Sequence, residues 1–165
     1  MQSKLLAAAA ITAAMLLAAC GSSASSTSTS PSPGQSPSPS PVATGTSVAV
    51  ATDAKLGQIL VDGKGITLYL FVADKGSAST CYTSCAQIWP PLLTSGPPVA
   101  GTGATASLIS TTMRMDGTTE VAYGGHPLYY FVRDKKPGDT TGQGIDGFGG
   151  LWWVLSPGGA AITTK

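Results

Sequence analysis

The sequence VDGKGITLYLFVADK at residues 61–75 returns 60 residues later as VAYGGHPLYYFVRDK at residues 121–135. Eight of the fifteen positions are identical between the two stretches. In each stretch a turn containing glycine is followed by alternating apolar residues, which is the pattern of a β-hairpin. We therefore predict one β-hairpin unit that occurs twice, at about residues 57–92 and 117–155.

The two units are expected to form one domain. Neither has enough apolar residues to close a core by itself, so we predict that they pack as a pseudo-symmetric pair. Residues 48–165 hold 18 glycines, about twice the average usage, which favours many turns. The only helical candidate is 83–89, which Pro90 ends. The predicted fold is all-β, a small single domain with glycine-rich loops and at most one short helix.

The strand segments follow from the same alternation. Tyr69 and Phe71 share one face of the predicted strand, while Leu68, Leu70 and Val72 share the other. Because both faces are apolar, such strands are expected in the middle of a sheet. The predicted strands are 58–61, 66–72, 118–123 and 127–132, with a last hairpin formed by 151–155 and 160–164. Of these, 118–121 is expected to be a sheet edge.

The start of the chain reads as an export signal, residues 1–19. Lys4 supplies a positive charge, and the apolar run 5–18 is too short to cross a hydrocarbon core of ~30 Å comfortably. The run ends in Leu17-Ala18-Ala19-Cys20, which resembles the bacterial lipobox. That resemblance implies a lipid on Cys20, and a plain secretory peptide with a chance cysteine is the alternative. The expected partner is therefore a bacterial membrane, reached through the lipid at its extracytoplasmic face.

Residues 20–47 are expected to be this lipidated cysteine followed by a disordered tether. Ser, Thr, Pro and Gly make up 23 of the residues from 21 to 47. Such a segment has no apolar surface to offset the entropy lost on ordering. It is either a spacer that lifts the domain from the membrane or a segment of no particular function.

Charge argues against nucleic acid as a partner. Nine Lys and Arg face eight Asp and Glu, and one of the nine is Lys4 of the leader. The mature chain is therefore balanced, without the basic footprint that phosphate binding needs. An envelope protein or a small ligand remains a possible partner.

Cys81 and Cys85 are the two cysteines besides Cys20. In an oxidising compartment they favour a structural disulfide, with a redox-active dithiol or half of a metal site as alternatives. The loop is so short that the chain-entropy stabilisation is only about 2 kcal/mol.

The repeated motif is Tyr-x-Phe-x-x-Asp. Its residues are Tyr69, Phe71 and Asp74 in the first unit and Tyr129, Phe131 and Asp134 in the second. With CYTSCAQIWPPL at 81–92 and KPGDTTG at 136–142, this motif resembles the bacterial lipoproteins with a Yx(F/W/Y)xxD repeat, the secreted repeat of unknown function. The resemblance implies no assigned reaction. Members often carry Trp-His-Val where this chain has Trp152-Trp153-Val154, which weakens a metal role for that histidine here.

The motif aspartates allow two interpretations. Asp74 and Asp134 are either paired catalytic carboxylates or, as we favour, acceptors of backbone N–H groups that turn the chain out of each strand. His126 is the only histidine, and with Met113 and Met115 it is a candidate copper site. On a strand the two methionines would share one face, and this arrangement is expected both of metal ligands and of residues packed in a core.

The long glycine-rich loop 139–150 carries Phe148 and is either a contact loop or inert. No nucleophile–base pattern occurs in the sequence. We therefore expect a non-enzymatic binding or envelope-structural module without a cofactor. A redox or copper-handling lipoprotein is the alternative.

Overall fold

The computed structural model describes residues 45–165. The predicted signal peptide, Cys20 and the predicted tether up to residue 44 lie outside the described residues. In chain order the strands are β1 (Ser47–Asp53), β2 (Gly57–Asp62), β3 (Tyr69–Phe71), β4 (Val99–Ala100), β5 (Ile109–Met113), β6 (Thr119–Tyr123), β7 (His126–Pro127), β8 (Asp146–Gly147) and β9 (Gly150–Val154). One helix, α1 (Ser84–Ile88), and one 3₁₀ turn (Ala106–Leu108) complete the elements. Within residues 45–165 no helix is long and apolar enough to span a membrane.

The strands form three small sheets, which confirms the all-β prediction. Their strand orders are β2-β1-β4, β3-β9-β8 and β5-β6-β7. Strands β1 and β5 were not predicted, and they pair antiparallel with β2 and β6 respectively. Each lies just before one of the two predicted units and leads into a turn whose glycine has a positive φ, 75° at Gly57 and 82° at Gly117.

The hairpin turn predicted in the second unit is confirmed, but its second strand, β7, ends at Pro127 rather than at residue 132, and Tyr129 pairs with Tyr69 and Pro91 instead. Gly124 and Gly125 both have positive φ, 59° and 85°, as a two-residue hairpin turn with the twist of the flanking strands requires. The first unit differs from its prediction. Its turn closes with Val61 opposite Thr67, but the chain then leaves β2, and β3 pairs with β9 instead.

The edge predicted at 118–121 is wrong. Strand β5 pairs with β6 on one side, Leu93 pairs with Glu120 on the other, and Glu120 is fully buried. The polar Thr-Thr-Glu sequence is typical of an edge, but both sides of this segment have a partner.

The two units meet at their motif tyrosines. The Tyr69 N–H donates to the Tyr129 carbonyl at 2.9 Å, and the Tyr129 N–H donates to the Tyr69 carbonyl at 2.9 Å. A twofold axis between the units would produce such an exchanged pair, although overall pseudo-symmetry stays a prediction.

Two apolar clusters form the core. The first holds a stack of four rings in which Trp152 and Trp89 lie 4.0 Å apart at the centre, flanked by Phe71 at 4.1 Å and Phe131 at 4.4 Å. The second cluster includes Leu68 and Leu70 from the opposite face of the same segment. Burial on both faces was predicted for this strand, but Val72 departs from it with 55% exposure.

The two remaining predicted elements are also present. Helix α1 lies inside the predicted 83–89 segment. The last hairpin is closed by Leu155 opposite Ala161, with Ser156 donating its N–H to the Ala160 carbonyl.

Candidate functional site

The motif tyrosines and aspartates pair across the two units. Tyr69 Oη donates to Asp134 Oδ2 at 2.5 Å, and Tyr129 Oη donates to Asp74 Oδ2 at 2.8 Å. Each motif therefore supplies the tyrosine of one pair and the aspartate of the other.

The second carboxylate oxygen of each aspartate is also engaged. Asp74 Oδ1 accepts from the backbone N–H and hydroxyl of Thr80, at 2.7 and 2.8 Å. Asp134 Oδ1 accepts from the same two groups of Thr141, at 3.0 and 2.5 Å. These bonds fasten the loop that follows each motif strand to the strand's own aspartate, as aspartate side chains do in turns. Each aspartate thus accepts the loop N–H expected of a structural role.

Burial also changes the acidity of these groups. It raises the pKa of Tyr69 and Tyr129 well above the ordinary tyrosine value, and neighbouring carboxylates raise it further. Burial likewise raises the pKa of Asp74, against the opposing effect of its hydrogen bonds. Both tyrosines are therefore neutral hydrogen-bond donors at physiological pH.

Only the Tyr129–Asp74 pair has a buried ion pair beside it. The Arg114 guanidinium donates to Glu120 Oε2, to Ser79 Oγ and to the Cys81 carbonyl, each at 2.7 Å. The Ser79 hydroxyl donates in turn to Tyr129 Oη at 2.7 Å, since the one proton of Tyr129 goes to Asp74, and this bond joins the ion pair to the motif tyrosine. The position of Glu120 in the first unit, 60 residues earlier, holds Leu60. The two units are therefore chemically unequal at this point.

Glu120 is the most constrained member of this cluster. It is fully buried, and its Oε1 has no hydrogen-bond partner among the described residues. Burial raises its pKa to about 7, and the charge of Asp74 adds to the shift while Arg114 opposes it. Neither Arg114 nor Glu120 was predicted as a site residue. The repeat held a signal for Glu120, since the apolar Leu60 stands at its position in the first unit.

The disulfide predicted between Cys81 and Cys85 is present, with a Cα–Cα distance of 5.2 Å. The two cysteines are only 0% and 6% exposed, and they belong to the same apolar cluster as Trp89. Thiol–disulfide exchange needs access to a sulfur, so this bridge is poorly placed for redox exchange. Thr83 inside the loop has a φ of 48°, a conformation that costs on the order of 1–3 kcal/mol for a residue other than glycine.

The candidate copper ligands do not come together. His126 lies opposite Tyr123 on β6 and Met113 opposite Thr119, four residues further along the strand, or ~13 Å. Met113 and Met115 are 74% and 85% exposed, so the alternative that they belong to a core is wrong. Within residues 45–165 no group of three or more His, Cys, Asp or Glu side chains could hold a metal ion.

The glycine-rich loop is ordered and folds into the β8–β9 hairpin. Its middle is packed tightly, since a Cβ at Gly142 would lie 2.8 Å from the Trp89 ring and 2.9 Å from the Tyr69 ring. Phe148 is at the hairpin tip with a φ of 59°, and its side chain is half exposed.

A surface cleft of about 520 Å³ has residues of β4 and β5 in its wall, and we call it the β4–β5 cleft. Its lining residues are Thr94, Ser95, Gly96, Pro97, Pro98, Ala100, Ala106, Ile109, Ser110, Thr111 and Thr119. All of these side chains are uncharged, and five carry a hydroxyl group. This cleft was not predicted, because its residues come from separate loops and strands without a common motif.

The described residues define a class of protein, a disulfide-bonded all-β domain whose two units exchange tyrosine–aspartate hydrogen bonds. The chain belongs to the family described as the secreted repeat of unknown function, whose model matches residues 50–93 and 110–156. Both matched segments begin before the predicted units and include residues of β1 and β5. The family description indicates an exported protein without assigning it an activity. No curated protein and no solved structure matches the chain.

Proposed function

We propose that this chain is a lipid-anchored protein of the extracytoplasmic face of a bacterial membrane, and that its domain binds a ligand in the β4–β5 cleft without changing it chemically. The β4–β5 cleft carries the proposal. Its volume lies within the range of about 300–1,000 Å³ that small-molecule and cofactor sites occupy.

The chemistry of the cleft supports binding rather than catalysis. Its hydroxyl and backbone groups can donate and accept hydrogen bonds, but no titratable side chain lines it within the described part of the chain. A serine or threonine nucleophile needs an adjacent base, and general acid–base catalysis needs a positioned titratable group. The domain's buried carboxylates are elsewhere and are engaged in the internal hydrogen bonds of Tyr69, Tyr129 and Arg114.

The lipid anchor rests on the Leu17-Ala18-Ala19-Cys20 sequence. Cys20→Ser should move the protein from the membrane fraction to the soluble fraction, because it removes the sulfur that would carry the lipid. Ser22→Ala is the matched control and should stay in the membrane fraction. Immunoblots of the two fractions measure the shift, and a Cys20→Ser variant that stays with the membrane would refute the anchor.

Binding in the cleft is tested with a fragment library. In ¹⁵N-labelled chain carrying Cys20→Ser, small uncharged polar fragments should shift the amide resonances of Thr94, Ala100 and Thr111, which line the cleft. The amide resonance of Phe148, at the tip of the β8–β9 hairpin and outside the cleft lining, is the internal control and should not shift. Fragments that bind elsewhere, or a library without a hit in the cleft, would contradict the proposed function.

A further inference from the structure

Strand β5 exposes one edge of its sheet. Arg114 donates its N–H to the Thr118 carbonyl, and the Leu108 carbonyl accepts from the Gly124 N–H, so these residues face β6. In an antiparallel ladder the direction of the backbone groups alternates. The N–H and C=O groups of Thr111, midway along β5, therefore point away from β6. Only β6 pairs with β5 in the described residues.

This edge lacks the usual protection against pairing. Natural edge strands carry a lysine, a proline or a bulge that blocks a further strand. The sequence of β5 is Ile-Ser-Thr-Thr-Met, with no charged residue and no proline. Thr111 is exposed at the middle of the strand, so an incoming chain can reach its backbone.

The β4 side of the same cleft offers a second set of backbone groups. Val99 donates its N–H to the Thr46 carbonyl and Gly101 donates to the Val48 carbonyl, so both face β1. Ala100 lies between them, and its N–H and C=O point away from β1 by the same alternation. Ala100 and Thr111 both line the β4–β5 cleft, which therefore has unpaired backbone groups in two of its walls.

We propose that the β4–β5 cleft binds an extended segment of another protein as an added β-strand, paired with β5 along Thr111 and contacting Ala100 of β4. The inference rests on the proposed function and names its ligand class. Backbone hydrogen bonds provide the affinity in this mode of recognition, and the side-chain pockets provide the selectivity. The uncharged wall of small residues selects a segment with small, uncharged side chains, because a charge buried there would find no partner.

The test uses an acetylated and amidated octapeptide of alternating Thr and Ala, labelled with fluorescein, and full-length protein purified from membranes in detergent. Fluorescence anisotropy should show saturable binding. Thr111→Pro removes the outward N–H and should weaken binding at least tenfold. Thr111→Val keeps that N–H and should bind like the original chain. The same octapeptide N-methylated at every residue, which blocks both of its edges, should also lose at least tenfold. Thermal melts establish that both variants are folded, since proline is tolerated at an edge where its nitrogen makes no ladder bond.

The outcomes separate this inference from the proposed function. Equal binding by Thr111→Pro, or by the N-methylated peptide, would overturn strand addition. A peptide that does not bind, while uncharged fragments still shift the cleft amides, would overturn the peptide ligand but leave the proposed function standing. Failure of both probes would overturn both. Sedimentation showing that Thr111→Pro abolishes a dimer of the original chain would identify a second copy as the occupant and overturn the inference.

Discussion

Phe71→Ala and Phe131→Ala should each lower the free energy of unfolding by about 3–5 kcal/mol. Both rings are buried, with 3% and 4% exposure, and each ends the stack that has Trp152 and Trp89 at its centre. Truncation leaves a cavity beside an indole ring, and it also removes a stacked contact worth about 0.5–1.5 kcal/mol beyond the buried area.

Urea unfolding followed by tryptophan fluorescence measures both losses. Val72→Ala is the matched control because Val72 follows Phe71 directly and is 55% exposed. A surface substitution of this kind changes stability by about 0.5 kcal/mol or less. A phenylalanine variant as stable as Val72→Ala would contradict the role of the ring stack in the core.

The comparison between the two phenylalanine variants tests the repeat. If the two units are equivalent in packing, Phe71→Ala and Phe131→Ala should cost similar free energies. Losses that differ by several kcal/mol would contradict pseudo-symmetry of the core, even though Tyr69 and Tyr129 exchange their backbone hydrogen bonds.

The parts of the fold that the sequence predicted are those set by local chemistry. The turn at Gly124 and Gly125 needs two residues with positive φ, and glycine adopts them without steric cost. Helix α1 is confined by Pro90, and the last hairpin has its own turn residues. Each of these signals lies within about ten residues of the structure it specifies.

The missed parts depend on partners that local patterns do not identify. Strand β3 leaves its own hairpin because Leu70 pairs with Trp153, more than 80 residues later. Strands β1 and β5 are rich in Ala, Ser and Thr, so they lack the strong apolar alternation that reveals a strand. They are strands because they pair with β2 and β6.

The candidate site residues also divide into those that a local motif identifies and those that depend on distant partners. The motif spacing identified Tyr69, Tyr129, Asp74 and Asp134, but only the packing of the units shows that each tyrosine bonds to the aspartate of the other unit. Charged residues are seldom fully buried, so the Arg114–Glu120 pair was not expected in the interior.

Breaking the buried Arg114–Glu120 pair should also have a large effect on stability. Arg114→Met should destabilise the protein by about 3–5 kcal/mol at pH 8, because it leaves the carboxylate of Glu120 buried without its counter-charge. The loss should be smaller at pH 5, where Glu120 is protonated in the folded state. Asp116→Asn is the control, since Asp116 is an exposed partner of the same arginine and its pair is screened by solvent.

The pH dependence has a definite sign. The pKa of Glu120 in the folded state is raised to about 7 from an ordinary value of 4.5, so the folded protein binds the proton more tightly than the unfolded chain. The stabilisation is fully present below pH 4.5 and is lost as the pH rises through about 7. Removing Arg114 removes a group that lowers this pKa, so the stability of Arg114→Met should fall more steeply with pH than that of the original chain.

Urea unfolding at pH 5 and pH 8 measures the loss of stability in Arg114→Met at each pH. A double variant then separates the cost of the buried carboxylate from the cost of the other bonds of Arg114. Arg114→Met combined with Glu120→Leu places at position 120 the residue type that the first unit has at Leu60. An apolar replacement of a whole buried pair is often neutral, so the double variant should recover most of the loss and its pH dependence between 5 and 8 should weaken.

If Arg114→Met loses the same free energy at both pH values, the titration of Glu120 is not responsible. If the double variant is no more stable than Arg114→Met, the bonds from Arg114 to Ser79 and the Cys81 carbonyl, rather than the stranded carboxylate, account for the cost.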